Sequence, residues 1–438
     1  MNTFTRYYNA VSYLEGLSNM PLKGDYLIQR QNLGVYLKRM RYFLNVLGNP
    51  DRGMKYIHIT GTAGKGSVTN MVHEIIHASG KMVGSFTSPF VTTTIEKIKV
   101  GDLYIDPNEF ADTVEYLKSF IDYAYLHGPY GRPSYFEICF ALAVIYFKRR
   151  RCEWVVLEVG LGGRFDATNV IEYPVITAIT NIDYDHTAVL GKTLQKIAFD
   201  KAGIIKKGSI FCTSEQRPQL LKLFEKICKE NKVSMRRVSK QSSYTKYNQE
   251  LVRRIVREVG VSDVYVEKGM HRAQLQCRFE IMQEKPLVIL DGAHNRSKIR
   301  STIVNLKNVS FKKLHVIIGI SEGKDSEAIL KQIIPLADSV SITRFQIRDR
   351  KCAHPKVLFK IARKYSKKNS SITTFLDPIH ALSMNLKRAT SNDLVLVVGS
   401  FFLAGELRKL WISEEKILKQ RFQHFMEYQK YVPSLRIN

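Results

Sequence analysis

The chain lacks the features that mark membrane proteins and disulfide-stabilised proteins. No apolar run in its 438 residues approaches the roughly 20 residues needed to cross a bilayer. Residues 1–6 lead into a mixed polar segment, so we expect no secretory signal peptide. The six cysteines lie far apart without a C-x-x-C pair, which argues against a zinc or redox centre. We therefore expect a cytoplasmic protein with reduced thiols and no membrane partner.

Acidic residues are scarce relative to basic ones. The chain has 40 Asp and Glu against 67 Lys and Arg, a net charge of +27. Such an excess suits nucleic acid, an anionic membrane surface or small anionic substrates. The basic residues occur in short clusters at predicted element ends, such as 148–151, and no nucleic-acid-binding module accompanies them. We expect a solvated basic surface that attracts small anions, and no nucleic-acid partner.

The stretch 57–70 predicts a phosphate-binding loop. A short apolar strand runs into a glycine-rich turn and then a helix. Glycines let backbone N–H groups point into one concavity, the helix N-terminus adds positive potential, and Lys65 can reach terminal phosphates. In a generic loop of this kind the hydroxyl residue follows the lysine directly, whereas here Gly66 intervenes before Ser67. The candidate nucleotide-binding residues are Gly61, Thr62, Gly64, Lys65, Gly66 and Ser67, with Ser67 also a candidate Mg²⁺ ligand.

Polar side chains also follow two predicted buried strands. Glu158 stands near the end of strand 154–159 where the pattern favours an apolar residue, and His186 follows strand 175–180. Ligands of open α/β sheets bind outside the carboxyl ends of the strands, so Glu158 is well placed to hold Mg²⁺. An ion pair with Arg164 is the alternative. A single histidine is more often structural and Mg²⁺ prefers oxygen, so the pattern leaves the role of His186 open.

A second α/β unit follows a predicted boundary at residues 283–286. Its first strand, 287–290, ends in Asp291, and a later apolar strand, 394–398, leads to Ser400. The length and the 45% hydrophobic content allow two or three domains, each with its own core. The chain shows no internal repeat and no long low-complexity tract.

Together these stretches resemble the folylpolyglutamate synthase and dihydrofolate synthase branch of the Mur ligase superfamily. Each string is weak alone, but their order and spacing over nearly the whole chain are highly specific. The strings are GT-x-GKGS at 61–67, Ser88-Pro89, the segment 95–98, Phe136-Glu137, LEVGLGGR-x-DATN at 157–169, Asp185-His186, the segment 201–205, DGAHN at 291–295, Lys324-Asp325 and GS-x-x-L-x-GE at 399–406.

The resemblance implies an α/β fold with two domains. Residues 1–283 would form a P-loop-containing, Mur ligase-like ATP-binding domain with a mostly parallel sheet. Residues 284–438 would form a smaller, Rossmann-like α/β domain that carries the glutamate-ligase part. We expect the chain to be a monomer.

The resemblance also implies the roles of individual residues. Ser67, Glu158 and His186 match Mg²⁺ ligands, and Lys201 matches a lysine that is carbamylated in relatives and can then hold a second Mg²⁺. The implied catalytic residues are Lys65, Lys201, Asp291 and His294. Residues that match positions near the nucleotide are Asn181, Arg278 and Asp291; Asp291, His294 and Asn295 match a segment that closes over ATP and the amino acid. Candidate substrate residues are Ser88, Pro89, Phe136, Glu137 and Ser400.

The activity that the resemblance implies is ATP-dependent addition of L-glutamate to dihydropteroate or a folate, through an acyl phosphate, with release of ADP and phosphate. ATP and Mg²⁺ are the expected cofactors, and either acceptor agrees with the sequence. A Mur-type ligase acting on a cell-wall nucleotide precursor is one alternative, disfavoured by the strings at 157–169 and 399–406. A nucleic-acid-binding NTPase is another, which the charge allows.

The sequence departs from the family pattern at several positions. They bear on loop geometry and the pterin side more than on phosphate chemistry, so they affect the substrate assignment more than the reaction class. These positions are Ala63, Phe90, Asp200, Gln276, Cys277 and Arg296.

Overall fold

The structure is a computed structural model that describes residues 4–17, 34–273, 275–347 and 351–421. Contacts between residues divide this part of the chain into two compact units. The first holds the described residues up to Phe90, those of 94–273 and those of 418–421. The second holds residues 91–93 and the described residues from 275 to 417.

The first unit is built on an eight-stranded sheet of order β4-β3-β2-β5-β1-β6-β7-β8. All neighbours are parallel except the pairs β2–β3 and β3–β4 at one edge. The strands are β1 (Lys55–Thr60), β2 (Val83–Phe86), β3 (Ile98–Val100), β4 (Leu103–Tyr104), β5 (Trp154–Glu158), β6 (Ile176–Ile179), β7 (Ile210–Thr213) and β8 (Ser234–Arg237).

Helices cover this sheet because its central strands are apolar on both faces. Every residue of β5 and β6 is buried, as expected for parallel strands packed between helices. The helices of this unit are α1 (Thr5–Gly16), α2 (Gly34–Val46), α3 (Lys65–Ala78), α4 (Pro107–His127), α5 (Tyr135–Arg149), α6 (Thr187–Leu190), α7 (Leu194–Lys201), α8 (Pro218–Asn231), α9 (Tyr244–Glu258) and α10 (Asp263–Arg272). One core cluster joins Ile57 and Ile59 of β1 to Val68 and Val72 of α3 and Leu251 of α9.

The second unit has a six-stranded sheet of order β13-β12-β11-β14-β10-β9. Its strands are β9 (Glu280–Glu284), β10 (Leu287–Leu290), β11 (Leu314–Ile318), β12 (Ser339–Ile342), β13 (Ser371–Thr374) and β14 (Leu394–Val398). The helices that follow α10 in the chain are α11 (Arg296–Leu306), α12 (Ser326–Ile333), α13 (Pro355–Tyr365), α14 (Pro378–Arg388), α15 (Phe401–Arg408) and α16 (Glu414–Gln420). The predicted α/β class, with a mostly parallel sheet and a smaller second α/β unit, is confirmed.

The predicted boundary at residues 283–286 does not separate the two units. Strand β9 pairs antiparallel with β10, so these residues connect two strands of the second sheet. The division lies near residue 274 instead. β9 is an edge strand of mixed polar composition. Its sequence does not indicate which sheet it joins, because its pairing depends on the partner strand. Among the described helices, none is both long and apolar enough to span a membrane.

Two buried histidines of the first unit stay neutral at ordinary pH. His58 of β1 faces Thr168, with 2.8 Å between Nε2 and Oγ1, and the Thr168 hydroxyl donates to Asp166. That hydroxyl has one proton, so His58 Nε2 is the donor to Thr168. Burial, reinforced by the positive charge of Lys206, lowers the pKa of His58 from 6.5 to about 3. Burial and Lys99 lower the pKa of His73 on α3 to about 3 as well.

These pKa values predict a loss of stability in acid. Between pH 6.5 and about 3 the unfolded chain binds a proton at His58 that the folded chain does not. The stabilising contribution is therefore complete above 6.5 and is lost as the pH falls, at about 1.4 kcal/mol per pH unit for each such histidine. We expect His58→Gln to reduce the pH slope of the unfolding free energy by about this amount.

Urea unfolding between about pH 7 and pH 5, followed by Trp154 fluorescence in a Trp411→Phe background, measures that slope. An unchanged slope in His58→Gln would contradict the prediction.

Candidate functional site

The phosphate-binding loop lies between β1 and α3. Gly64 precedes the first residue of α3 with a φ of 83°, and Gly61 has a φ of 150°. A side chain at Gly61 would collide with Thr180, because its Cβ would lie 1.8 Å from the Thr180 hydroxyl oxygen. Lys65 is the first residue of α3, so it stands at the helix N-terminus as predicted. Glycine is thus required by both conformation and space in this loop.

The segment that follows β6 holds the loop in place. Thr62 donates its backbone N–H to the Asn181 carbonyl oxygen at 2.9 Å, and Ala63 donates its N–H to Asn181 Oδ1 at 2.8 Å. The Thr180 hydroxyl donates to the Ala63 carbonyl at 2.5 Å. The backbone N–H of Asp183 donates to the Thr62 hydroxyl at 2.9 Å. Asn181, predicted from the resemblance to lie near nucleotide phosphates, anchors the loop in this structure.

Asn248 is a residue of this site that the sequence analysis missed. A Cβ on Gly64 would lie 2.6 Å from Asn248 Oδ1, so the Asn248 amide packs directly on the loop. Asn248 belongs to α9, which also packs against α3 through Leu251 and Val252. No motif surrounds it, and only the apolar spacing of α9 indicates which face turns toward the loop.

Glu158 and Ser88 meet beside the loop. Glu158 is buried, and its Oε2 accepts the backbone N–H of Ser88 at 3.1 Å. A Cβ on Gly66 would lie 3.3 Å from the same oxygen. The carboxyl end of β5 therefore brings an acid to the first turn of α3, where Ser67 also lies. Arg164, the alternative partner for Glu158, places its guanidinium 4.2 Å from the centre of the Phe199 ring.

Lys201 is buried under the phosphate-binding loop. Its Nζ donates to the Gly61 carbonyl oxygen at 3.0 Å. Burial and, to a lesser extent, the positive charge of Lys65 lower the pKa of Lys201 to about 7, although the negative charge of Asp200 acts against both. Burial also raises the pKa of the Asp200 carboxyl. At neutral pH a large fraction of the Lys201 amine is thus unprotonated and nucleophilic.

His186 precedes α6 in a left-handed conformation, with a φ of 49°. Its backbone N–H donates to Asp185 Oδ1 at 3.0 Å, and 44% of its side chain is exposed. A non-glycine residue in this conformation is uncommon, and such residues concentrate at functional sites. Exposure leaves the imidazole able to reach an incoming ligand.

The residues present fit Mg²⁺ rather than a metal enclosed by protein. Within residues 4–17, 34–273, 275–347 and 351–421, no group of three or more His, Cys, Asp or Glu could hold a metal ion. Mg²⁺ usually takes one or two carboxylates and completes its shell with waters and substrate phosphates. The buried Glu158 carboxylate beside the phosphate-binding loop meets that requirement.

Two of the predicted substrate residues have structural partners. Glu137 is buried and completes a capping box at the start of α5 with Ser134, and it pairs with Arg39 at 2.8 Å. The Phe136 ring packs on Phe86, with 5.6 Å between ring centres, and a Cβ on Gly160 would lie 2.7 Å from it. A role of Phe136 or Glu137 toward substrate stays a prediction, as it does for Ser88 and Pro89.

In the second unit, the predicted residues after β10 form one hydrogen-bonded group. Asp291 is buried and accepts from the Thr302 hydroxyl at 2.6 Å and from the Ala293 N–H at 3.1 Å, and burial raises the pKa of its carboxyl. Asn295 caps α11 by accepting the Lys298 N–H at 3.0 Å.

His294 lies between Lys298, 3.1 Å from its Nε2, and the Gly292 carbonyl, 2.8 Å from its Nδ1. An ammonium group only donates, so Nε2 accepts and Nδ1–H is the donor to Gly292.

Two further predicted residues of this unit lie near Phe401. The Arg278 guanidinium stacks 4.8 Å from the Phe401 ring centre. Ser400 is buried and caps α15 by accepting the Phe402 N–H at 3.1 Å. Cys277 and Phe279, on either side of Arg278, both have positive φ values of 51° and 56°. Arg278 is therefore presented by a strained turn.

Two family models match the chain in succession. Residues 59–276 match the Mur ligase middle domain, and residues 277–401 match the Mur ligase glutamate ligase domain. The dihydrofolate synthase/folylpolyglutamate synthase of Bacillus subtilis is 27% identical and aligns over 93% of this chain and 99% of its own length.

Solved structures show the same fold. Folylpolyglutamate synthase of Thermotoga maritima superimposes with a TM-score of 0.75 at 28% identity, covering 92% of this chain and 96% of that one. The Mycobacterium tuberculosis folylpolyglutamate synthase, complexed with ADP and AMPPCP, gives a TM-score of 0.82 at 23% identity, covering 93% and 99%.

A phosphate-binding loop on a parallel sheet, followed by a second α/β unit, defines a nucleotide-binding protein of the ligase type. The chain belongs to the Mur ligase superfamily and, within it, to the folylpolyglutamate synthase/dihydrofolate synthase family.

Alanine substitutions at the two glycines that flank α3 test the geometry of the phosphate-binding loop. Gly64 and Gly80 share a φ of 83°, so alanine at either should cost about 1 kcal/mol in backbone strain. Only at Gly64 would the new Cβ meet a neighbour, the Asn248 amide at 2.6 Å, whereas Gly80 has open space. We expect Gly64→Ala to weaken ADP binding by about tenfold or more through displacement of the loop. Calorimetric titration of both variants measures this, and equal ADP affinity in Gly64→Ala and Gly80→Ala would contradict it.

Proposed function

We propose that this chain is an ATP-dependent ligase that joins L-glutamate to dihydropteroate or to a folate. The observation that carries the proposal is the phosphate-binding loop with Lys65 at its helix N-terminus and the buried Glu158 beside it. The match of residues 277–401 to a glutamate ligase domain supports glutamate as the incoming amino acid. The Bacillus subtilis relative carries both activities in its name, so it supports either acceptor.

The chemistry explains why a nucleotide site is needed. A carboxylate cannot form an amide directly because its oxygen is a very poor leaving group. Transfer of the γ-phosphoryl group of ATP gives an acyl phosphate, and the glutamate amine then displaces phosphate. The charge that shifts during transfer is neutralised by Lys65 and by the N-terminus of α3. Mg²⁺ held by Ser67, Glu158 and His186 would add further positive charge at the phosphates.

All of these substrates are anions, which fits the charge of the chain. A net charge of +27 raises the local concentration of ATP, glutamate and a folate tail. The same charge also allows nucleic acid, and salt-sensitive nucleic-acid binding with stimulated hydrolysis would favour that reading. We further propose a cytoplasmic monomer. The six cysteines are thiols rather than disulfides, which supports a reducing compartment.

Replacement of Lys65 tests the mechanism. We expect Lys65→Ala to lower turnover by about 100-fold or more, because the negative charge on the transferred phosphoryl group loses a positive charge that would stabilise it. Lys55→Ala is the control, since Lys55 lies on the same unit but forms an exposed pair with Glu153.

The assay offers dihydropteroate and tetrahydrofolate in parallel with ATP, Mg²⁺ and L-glutamate and detects a product heavier by one glutamyl residue. Wild-type-like turnover in Lys65→Ala would contradict the mechanism. No product from either acceptor would contradict the proposed function.

We also propose that Lys201 carries a carbamate. Its amine is buried against the Gly61 carbonyl, and its pKa of about 7 leaves the unprotonated form that reacts with carbon dioxide. The added carboxylate would give the site an oxygen ligand for a second Mg²⁺.

We expect intact-mass analysis under conditions that preserve the adduct to show protein heavier by one carbon dioxide. The addition should be absent from Lys201→Arg, because a guanidinium does not deprotonate. An equal addition in Lys201→Arg, or its absence from wild type in bicarbonate, would contradict the proposal.

A further inference from the structure

A buried ion pair after β7 holds the segment that in turn holds the phosphate-binding loop. Glu215 is buried, and its carboxylate forms a bidentate salt bridge with Arg217. Arg217 Nε donates to Oε1 at 2.8 Å, and the terminal nitrogen Nη2 donates to Oε2 at 2.7 Å. Bidentate arginine–carboxylate pairs are stronger and have a more defined geometry than single hydrogen bonds. Neither residue belongs to a motif named above.

Both backbone polar groups of one residue, Ile182, in the segment after β6 bind this pair. The backbone N–H of Ile182 donates to Glu215 Oε2 at 3.1 Å. The same terminal nitrogen of Arg217 that pairs with Glu215 also donates to the Ile182 carbonyl oxygen. Ile182 thus has its N–H and C=O fixed by two side chains that are fixed to each other. Its apolar side chain is buried and packs in the cluster that includes Ile179 and Ile197.

The contacts that precede Ile182 extend the pairing of β6 with β7. The Thr213 hydroxyl donates to the Ile179 carbonyl at 2.9 Å, and the Ser214 hydroxyl donates to the Thr180 carbonyl. At the last residues of the two strands and just beyond them, side-chain hydrogen bonds therefore add to the backbone pairing. Gln216 ties the same turn to the next strand by donating to the Val238 carbonyl at 3.0 Å.

Ile182 stands between the two residues that support the loop. Asn181 accepts the N–H groups of Thr62 and Ala63, and Asp183 donates to the Thr62 hydroxyl. A change in the backbone conformation of Ile182 would move both neighbours, and through them the loop. The chain of contacts runs from 215–217 through 181–183 to 62–63, entirely within the first unit.

We propose that Glu215 and Arg217 are positioning residues for nucleotide binding, which act on the phosphate-binding loop through Ile182 and Asn181. This inference rests on the proposed function for its kinetic consequence, but its structural consequence exists in the nucleotide-free protein.

The test compares Arg217→Met with Arg236→Met. Arg217 and Arg236 are both 41% exposed and both pair with a glutamate of the first unit, but Arg236 pairs with Glu258 and joins β8 to α9. Methionine removes the charge and the donors while keeping most of the stem. Arg217→Lys keeps a cation that can make one of the two contacts, so it should be intermediate.

Amide hydrogen exchange of Thr62 and Ala63 in nucleotide-free protein is the first readout. We expect Arg217→Met to accelerate exchange at these amides by about tenfold or more, while Arg236→Met leaves it unchanged. The second readout is affinity for ADP in the presence of Mg²⁺, and the third is the ligase assay. We expect the ADP Kd and the KM for ATP to rise by about tenfold in Arg217→Met, with little change in the KM for the acceptor.

The results of these experiments would distinguish a failure of the positioning role from a failure of the proposed function. Unchanged amide exchange and ADP affinity in Arg217→Met would overturn the positioning role, as would an equal effect of Arg236→Met. Failure of wild type to bind ADP or form product would overturn the proposed function, while faster exchange at Thr62 and Ala63 in Arg217→Met would still support the positioning of the loop. Thermal unfolding of each variant confirms that the comparison is made on folded protein.

Discussion

The hydrogen bonds from Thr62 and Ala63 to Asn181 are the constraint on which the candidate site depends. A loop that binds phosphate must keep backbone N–H groups free for the ligand, and glycine gives it many other conformations to adopt. Ordering such a loop at the moment of binding would subtract from affinity. Because Thr62 and Ala63 are anchored to the segment after β6, the loop is ordered when the protein folds. The N–H groups that follow Ala63, and Lys65, are therefore oriented before the ligand binds.

The same arrangement concentrates positive charge that folding alone does not favour. Burial disfavours the positive charge of Lys201, and the positive charge of Lys65 adds to this effect. The lowered pKa of Lys201 relieves this repulsion, because the unprotonated amine carries no charge. The unprotonated amine is also the form that would react with carbon dioxide, so burial beside Lys65 favours both the lowered pKa and the proposed carbamate.

Sequence patterns identified the parts of the site that depend on local order. β1, the glycines and Lys65 are neighbours in the chain, and Glu158 stood out because an acid interrupts an apolar strand at its carboxyl end. Asn248 and Glu215 could not be identified in this way, since Asn248 reaches the loop, and Glu215 reaches the segment that holds the loop, only after distant helices and strands have packed. Their neighbours in sequence are ordinary polar residues of a turn or a helix start.

The boundary predicted at residues 283–286 differs from the observed division near residue 274 for a related reason. β9 has the composition of a connecting segment, and only its antiparallel pairing with β10 makes it part of the second sheet.

Departures from the family pattern also have a physical meaning in this structure. Where the resemblance leads one to expect glycine before Arg278, the chain has Cys277 at a φ of 51°, a conformation that is strained for any side chain with a Cβ. The turn keeps this conformation because Cys277 donates its N–H to Glu280 at 2.8 Å and accepts from the Gly292 N–H at 2.8 Å. Glu280 is in turn paired with the buried Arg408. Hydrogen bonds at both ends of the residue therefore impose a conformation that glycine would adopt freely, so cysteine at this position raises the conformational cost of the turn that presents Arg278.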